Sequence, residues 1–205
     1  MTQLTEYAAA GDLPGLKRLL DAGAEINQQD ERGRTAAMAA TYARQTAAAR
    51  LLFERGADPD IQDDIFNNPF LYAGAEGYLD TLKLANAAGA DPAITNRFGG
   101  TALIPASEHG HVETVRYLLE ETEVDVNHVN NLGWTALLEA IILNDGGPRQ
   151  QETVKLLIEH KANVNRADHD GVTPLAHARN RGFHAIEQLL LAAGATAVAR
   201  QRTVR

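Results

Sequence analysis

The chain has 205 residues, 44% hydrophobic and only 5% aromatic, with no cysteine and a formal net charge of −8. The acidic balance argues against a nucleic-acid backbone as partner, and the lack of cysteine excludes disulfides and thiolate metal sites. No apolar run reaches the roughly 18 residues of a membrane span, and no basic-then-apolar leader opens the chain, so a cytoplasmic protein without membrane contact is expected.

Residues 1–29 read as a helix, a turn at Gly11-Asp12 and a second helix, closed by Gly23-Ala24-Glu25-Ile26-Asn27. That phrase returns at Gly56-Ala57-Asp58-Pro59-Asp60, Gly89-Ala90-Asp91-Pro92, Glu123-Val124-Asp125-Val126-Asn127, Lys161-Ala162-Asn163-Val164-Asn165 and Gly194-Ala195, in steps of 33, 33, 34, 38 and 33. Such a period marks stacked supersecondary units, none able to bury its apolar face alone. Repeats are therefore predicted at 30–62, 63–95, 96–129 and 130–167. Terminal caps are predicted at 1–29 and 168–195, giving a single array over 1–195 with a basic tail at 196–205.

A second phrase runs in phase: Thr35-Ala36-Ala37, Asn68-Pro69-Phe70, Thr101-Ala102-Leu103, Thr135-Ala136-Leu137 and Thr173-Pro174-Leu175. Thr before Pro or Ala is a good helix start, because its hydroxyl caps free amides and Pro suits the first turn. Gly33, Gly99, Gly133 and Gly171 stand two residues before the Thr, and Gly11, Gly77, Gly110 and Gly182 fall between successive helices. Apolar helical stretches follow, for example Leu16–Leu20 and Val112–Leu119. The whole pattern, over roughly residues 4–195, resembles the ankyrin repeat. Two stretches, 96–100 and 133–147, are similar to a small enterobacterial member. The resemblance implies an all-α solenoid of helix–turn–helix units with short β-hairpin or turn connections. It also implies a bacterial, free-standing, non-enzymatic binding protein.

Departures from the pattern point to function. The second repeat carries Phe66 in place of the turn glycine and Asn68 in place of the capping Thr; Asn caps comparably, but Phe66 forfeits a residue suited to a tight turn. The third repeat has one extra residue near Glu121-Thr122-Glu123. The fourth has five more, placed in 144–151 between its helices, either at a binding face or as a neutral loop extension.

The resemblance implies that turn tips and the exposed side of the inner helices meet the ligand. The candidates there are Tyr42, Asn67, Phe70, Arg97, Phe98, Glu108, His109, Asn131, Trp134, Glu139 and Asp145. Trp134, the sole Trp, is either a binding hot spot or a wedge against the next turn. Glu139 sits mid-helix among apolar residues and must find a partner or face the groove. Asp145 either reaches that groove or caps its own turn. His109-x-His111 is too sparse for a metal site, and no catalytic or phosphate-loop motif occurs. No metal, cofactor or enzymatic activity is expected.

Two functional readings follow. A rigid concave groove for a protein partner is the first. The alternative is a small carboxylate or phosphate metabolite in a central pocket of repeats two to four, held by Arg97. In that reading the inserted loop serves as a lid, with the helix start at Thr101 supplying amides.

Overall fold

The computed structural model describes residues 2–197, so the arginines of the basic tail lie outside the described residues. Twelve helices are described, and no strand is among them. The chain divides into two compact units, Met1–Arg97 and Phe98–Arg205. The first holds α1 (Gln3–Ala10), α2 (Leu13–Asp21), α3 (Ala36–Tyr42), α4 (Thr46–Glu54), α5 (Pro69–Glu76) and α6 (Leu79–Ala87). The second holds α7 (Leu103–Glu108), α8 (Val112–Glu121), α9 (Ala136–Ile142), α10 (Pro148–Glu159), α11 (Pro174–Asn180) and α12 (His184–Ala192).

Within the first unit the inner helices α1, α3 and α5 pack in sequence, as do the outer helices α2, α4 and α6. The second unit repeats the scheme, with α7, α9 and α11 inside and α8, α10 and α12 outside. Small residues make the inner packing close: Ala36, Ala37, Ala39 and Ala40 of α3 are all buried. Each outer helix sinks at least one leucine into the core: Leu16, Leu52, Leu82, Leu118, Leu157 and Leu190 are fully buried. Burying one such side chain is worth about 1.5–3 kcal/mol.

The inner helices start where the sequence places them, with one exception. Thr35, Asn68, Thr135 and Thr173 each accept a hydrogen bond from the amide three residues on, at 2.8–3.3 Å. Thr101 does not. Pro105 has no amide to give to the Thr101 carbonyl, so Ile104 N takes that carbonyl at 3.2 Å. The buried Thr101 hydroxyl is left without a partner. Helix α7 then begins only at Leu103 and runs for 6 residues. The Ile104 amide is thereby engaged within the chain.

The insertion is half helix. Residues 148–151 form the first turn of α10, which has 12 residues where α4 and α6 have 9. The remaining loop is pinned. Gln150 Nε2 donates to Asn144 Oδ1 at 2.9 Å, Gln151 Nε2 to the Gly146 carbonyl at 2.8 Å, and the Arg181 guanidinium to the Asn144 carbonyl. The Phe183 ring lies so close to Gly146 that an added Cβ would stand 2.6 Å from it.

Asn and Asp side chains in the segments that follow the outer helices tie successive repeats. Asn27 Oδ1 accepts the Asp58 amide and Asp60 Oδ1 the Asp91 amide, both at 2.9 Å. Asn127 Oδ1 accepts from Asn163 N, and Asn165 Oδ1 from Thr196 N, both at 2.7 Å.

Candidate functional site

The turns before α3, α5, α9 and α11 are each braced by one acidic or amide side chain. Asp30 Oδ1 accepts the amides of Arg32 and Arg34 at 2.9 and 3.0 Å, and Asp63 Oδ1 those of Ile65 and Asn67 at 3.0 and 2.9 Å. Asn130 Oδ1 takes Leu132 N and Trp134 N, both at 3.0 Å; Asp168 Oδ1 takes Asp170 N and Val172 N at 3.0 and 2.9 Å. Neighbouring tips are joined within each unit, by Asp64 N to the Arg32 carbonyl and by Asn131 N to the Phe98 carbonyl.

The second atom of each bracing side chain meets a different group. Asp30 Oδ2 pairs with the Arg34 guanidinium at 2.7 Å. Burial alone would raise the Asp30 pKa, but hydrogen bonds from Arg34 and the turn amides outweigh it and hold the carboxyl at about 2. Asp63 Oδ2 accepts the Tyr42 hydroxyl at 2.6 Å, and that hydroxyl accepts Asn67 Nδ2 at 3.0 Å. Burial, reinforced by Asp63, holds the Tyr42 proton well above the ordinary phenol range. Asn130 Nδ2 donates to Glu139 Oε1 at 2.7 Å. Burial and the negative charge of Glu108 push Glu139 up to about 7, against the Asn130 hydrogen bond. Asp168 Oδ2 meets His177 Nε2 at 2.7 Å. Burial opposes ionisation of Asp168, but His177 and the turn amides prevail and lower its pKa.

In the first unit three half-buried tyrosines adjoin this brace. The Tyr42 and Tyr72 rings are 4.5 Å apart at 65°, and Tyr72 and Tyr78 are 6.1 Å apart at 75°. The Arg44 guanidinium stands 4.5 Å over Tyr78. A cavity of about 400 Å³ opens beside Tyr42, lined by Arg32, Arg34, Tyr42, Asp63, Asp64 and Ile65.

Several candidates from the sequence therefore fall into one structure, and others do not. Tyr42 and Asn67 share the Asp63 brace. Phe70 is a correction: it is 1% exposed and belongs to the core, because it occupies the slot of Ala37, Leu103, Leu137 and Leu175, all buried. Arg97 and Phe98 are exposed on their turn, Phe98 by 54%. Asn131 is exposed at its tip, and Trp134 is half-buried with its backbone held by Asn130. Glu139 is only 6% exposed and has its partner in Asn130. Glu108, half-buried on α7, is its acidic neighbour. His109 is exposed with its ring 5.6 Å from His111, and no metal-holding group of His, Asp and Glu occurs among the described residues. Asp145 caps its own loop, Oδ1 accepting Gly147 N at 2.8 Å.

Sequence reasoning missed Asp63, Tyr72 and Tyr78. A signal existed: Asp63 stands 33 residues after Asp30, and Tyr72 stands nine after Asp63, as Glu139 does after Asn130 and His177 after Asp168.

Helix pairs packed in sequence and joined by side-chain-braced turns define a helical repeat protein. A family model of ankyrin repeats in three copies matches residues 4–96 and 70–168. The chain belongs to the ankyrin-repeat family. It is 46% identical to the ankyrin repeat protein YahD of Escherichia coli K12 over 188 residues, 92% of this chain and 94% of that one. The crystal structure of an ankyrin repeat domain from Acinetobacter baumannii superposes with a TM-score of 0.92 at 54% identity, covering 94% of this chain and 98% of that one. The cyclin-dependent kinase 4 inhibitor B of Rattus norvegicus is 33% identical over 116 residues, 56% of this chain and 88% of its own.

Proposed function

We propose that the chain is a non-enzymatic module that binds a protein partner through its turn tips and inner helices. One observation carries the reading. Among the described residues six large hydrophobic side chains are exposed, and four of them, Ile65, Phe66, Phe98 and Leu132, stand on turn tips. Apolar groups on braced turns lose little ordering entropy on association, and such groups dominate interface energetics. The rat relative is named as an inhibitor of a kinase, so a similar chain acts on another protein. The anionic-metabolite alternative also drew on Phe70, Glu139 and Asp145, and each of these is engaged within the fold. A chain without cysteine fits a reducing cytoplasmic setting, and among the described residues no helix is long and apolar enough to cross a membrane.

The test is quantitative capture from bacterial cytosol with the whole chain as bait. A partner retained by the wild type should bind at least about tenfold more weakly to Phe98→Ala and Leu132→Ala, a loss typical of hot-spot truncation. A partner retained equally by both variants, or no partner at any salt concentration, rejects the reading.

A further inference from the structure

The cavity beside the 63–67 turn has an electrostatic imbalance that the other braced turns lack. Asp30 is neutralised by Arg34 and Asp168 faces His177, while Asn130 carries no charge at all. Asp63 is 8% exposed and receives two amides and the Tyr42 hydroxyl. Among the described residues no basic side chain pairs with it. A buried carboxylate without a counter-charge gains when a cation arrives. Of the other cavity charges, Arg34 is spent on Asp30, and exposed Asp64 and Arg32 offset each other. The cavity therefore keeps one net negative charge, and its remaining walls are the Tyr42 ring and Ile65.

Ile65 of the cavity lining and Phe66, the next residue in the chain, add exposed apolar surface at this turn. Ile65 is 47% and Phe66 56% exposed. Phe66 holds φ 62, a left-handed conformation taken by glycine at the corresponding Gly33, Gly99, Gly133 and Gly171. A bulky residue there costs about 1–2 kcal/mol relative to glycine.

We propose that this cavity receives a lysine or arginine side chain from an extended segment of a partner protein, with a neighbouring apolar residue of that segment resting on Ile65 and Phe66. The incoming cation lies against the Tyr42 ring and meets the Asp63 and Asp64 carboxylates, a combination that suits guanidinium best. This deepens the protein-binding reading and rests on it. It gives the first unit a preference for basic–apolar sequences.

A random peptide display library panned on the full-length protein tests it. Selected peptides should be enriched in Arg or Lys next to an aliphatic or aromatic residue. Their affinity should fall at least fivefold in Asp64→Asn and in Phe66→Gly, rise in Arg32→Ala, and weaken with added salt. Asp64 and Phe66 are exposed, so neither change removes a core contact; a cooperative unfolding transition with a midpoint no lower than wild type confirms intact folding. Peptides that are acidic, or whose binding ignores all three variants, overturn the cationic pocket while leaving the protein-binding reading standing. Should a synthetic peptide of residues 200–205 compete as strongly as the selected ones, the occupant is a second copy of this chain and the external partner is overturned. A library that yields nothing overturns the pocket, and the capture experiment above then decides separately whether any partner exists.

Discussion

The 63–67 and 130–134 turns use the same brace in opposite electrical senses. At the first, a carboxylate at position 63 is held by a phenol; at the second, an amide at position 130 holds a carboxylate on the next helix. The comparison separates what the turn requires from what the neighbourhood chooses. One oxygen accepting two backbone amides is required in both. The second atom is free, and it decides whether a negative charge rests on the turn, as Asp63, or behind it, as Glu139.

Exchanging the two chemistries should break the comparison most sharply. Asn130→Asp sets a carboxylate 2.7 Å from Glu139 and should cost about 3 kcal/mol above pH 8, measured by urea unfolding, with much of the loss recovered below pH 6 as the pair takes up a proton. The mirror change Asp63→Asn keeps the accepting oxygen and should cost only about 1 kcal/mol, the worth of one altered hydrogen bond. Equal losses at the two turns would show that the shared oxygen, not the second atom, governs both.

The pH response sharpens it next. Glu139 moves from 4.5 to about 7 on folding, so between these values the folded state holds more protons than the unfolded one. Its contribution to stability is complete below about pH 4.5 and is lost as the pH rises to 7, at about 1.4 kcal/mol per pH unit. Glu139→Gln should flatten that slope and raise stability at pH 8. Asp30 works in the reverse sense: its lowered pKa supplies stability above about pH 4 that is lost as the pH falls toward 2. A wild-type urea midpoint that does not change between pH 5 and 7.5 would contradict the Glu139 assignment.

Two smaller effects belong to the 63–70 segment alone. Phe66→Gly relieves the left-handed strain and should raise stability by about 1 kcal/mol, seen as a higher urea midpoint with the slope unchanged. Asn68→Thr should add somewhat less than about 1 kcal/mol, because the Asn68 amide nitrogen is buried without an acceptor and threonine keeps the cap without it. No corresponding gain is available at Gly133 or Thr135, which already carry the favoured residues.

The architecture was legible because a 33-residue period and in-phase helix starts are properties of residue order. The need of Glu139 for a partner was legible too, from one carboxylate in an apolar helix. Its partner was not singled out, since Asn130 is one Asn among several in a polar turn and only the nine-residue spacing marks it. Phe70 was misread by residue type, where its register with Leu103 and Leu137 places it inside. Thr101 failed as a cap because proline at 105 acts on a carbonyl four residues back, an effect that requires the hydrogen bonds to be traced. The tyrosine run joins side chains up to 36 residues apart, from Tyr42 to Tyr78, and no local pattern announces it.

The side-chain ladders between repeats should age differently in the two units: the first relies on Asn27 and Asp60, each bonded through its oxygen, and the second on two asparagines bonded through both amide atoms. Asn127 and Asn165 each use Nδ2 as well, donating to the Lys161 and Gly194 carbonyls at 3.2 Å. Spontaneous hydrolysis of either amide would turn that donor into an anionic oxygen facing a carbonyl, so the second unit should loosen rung by rung as the protein ages. Asp60 in the first unit already bears the acid that such damage produces.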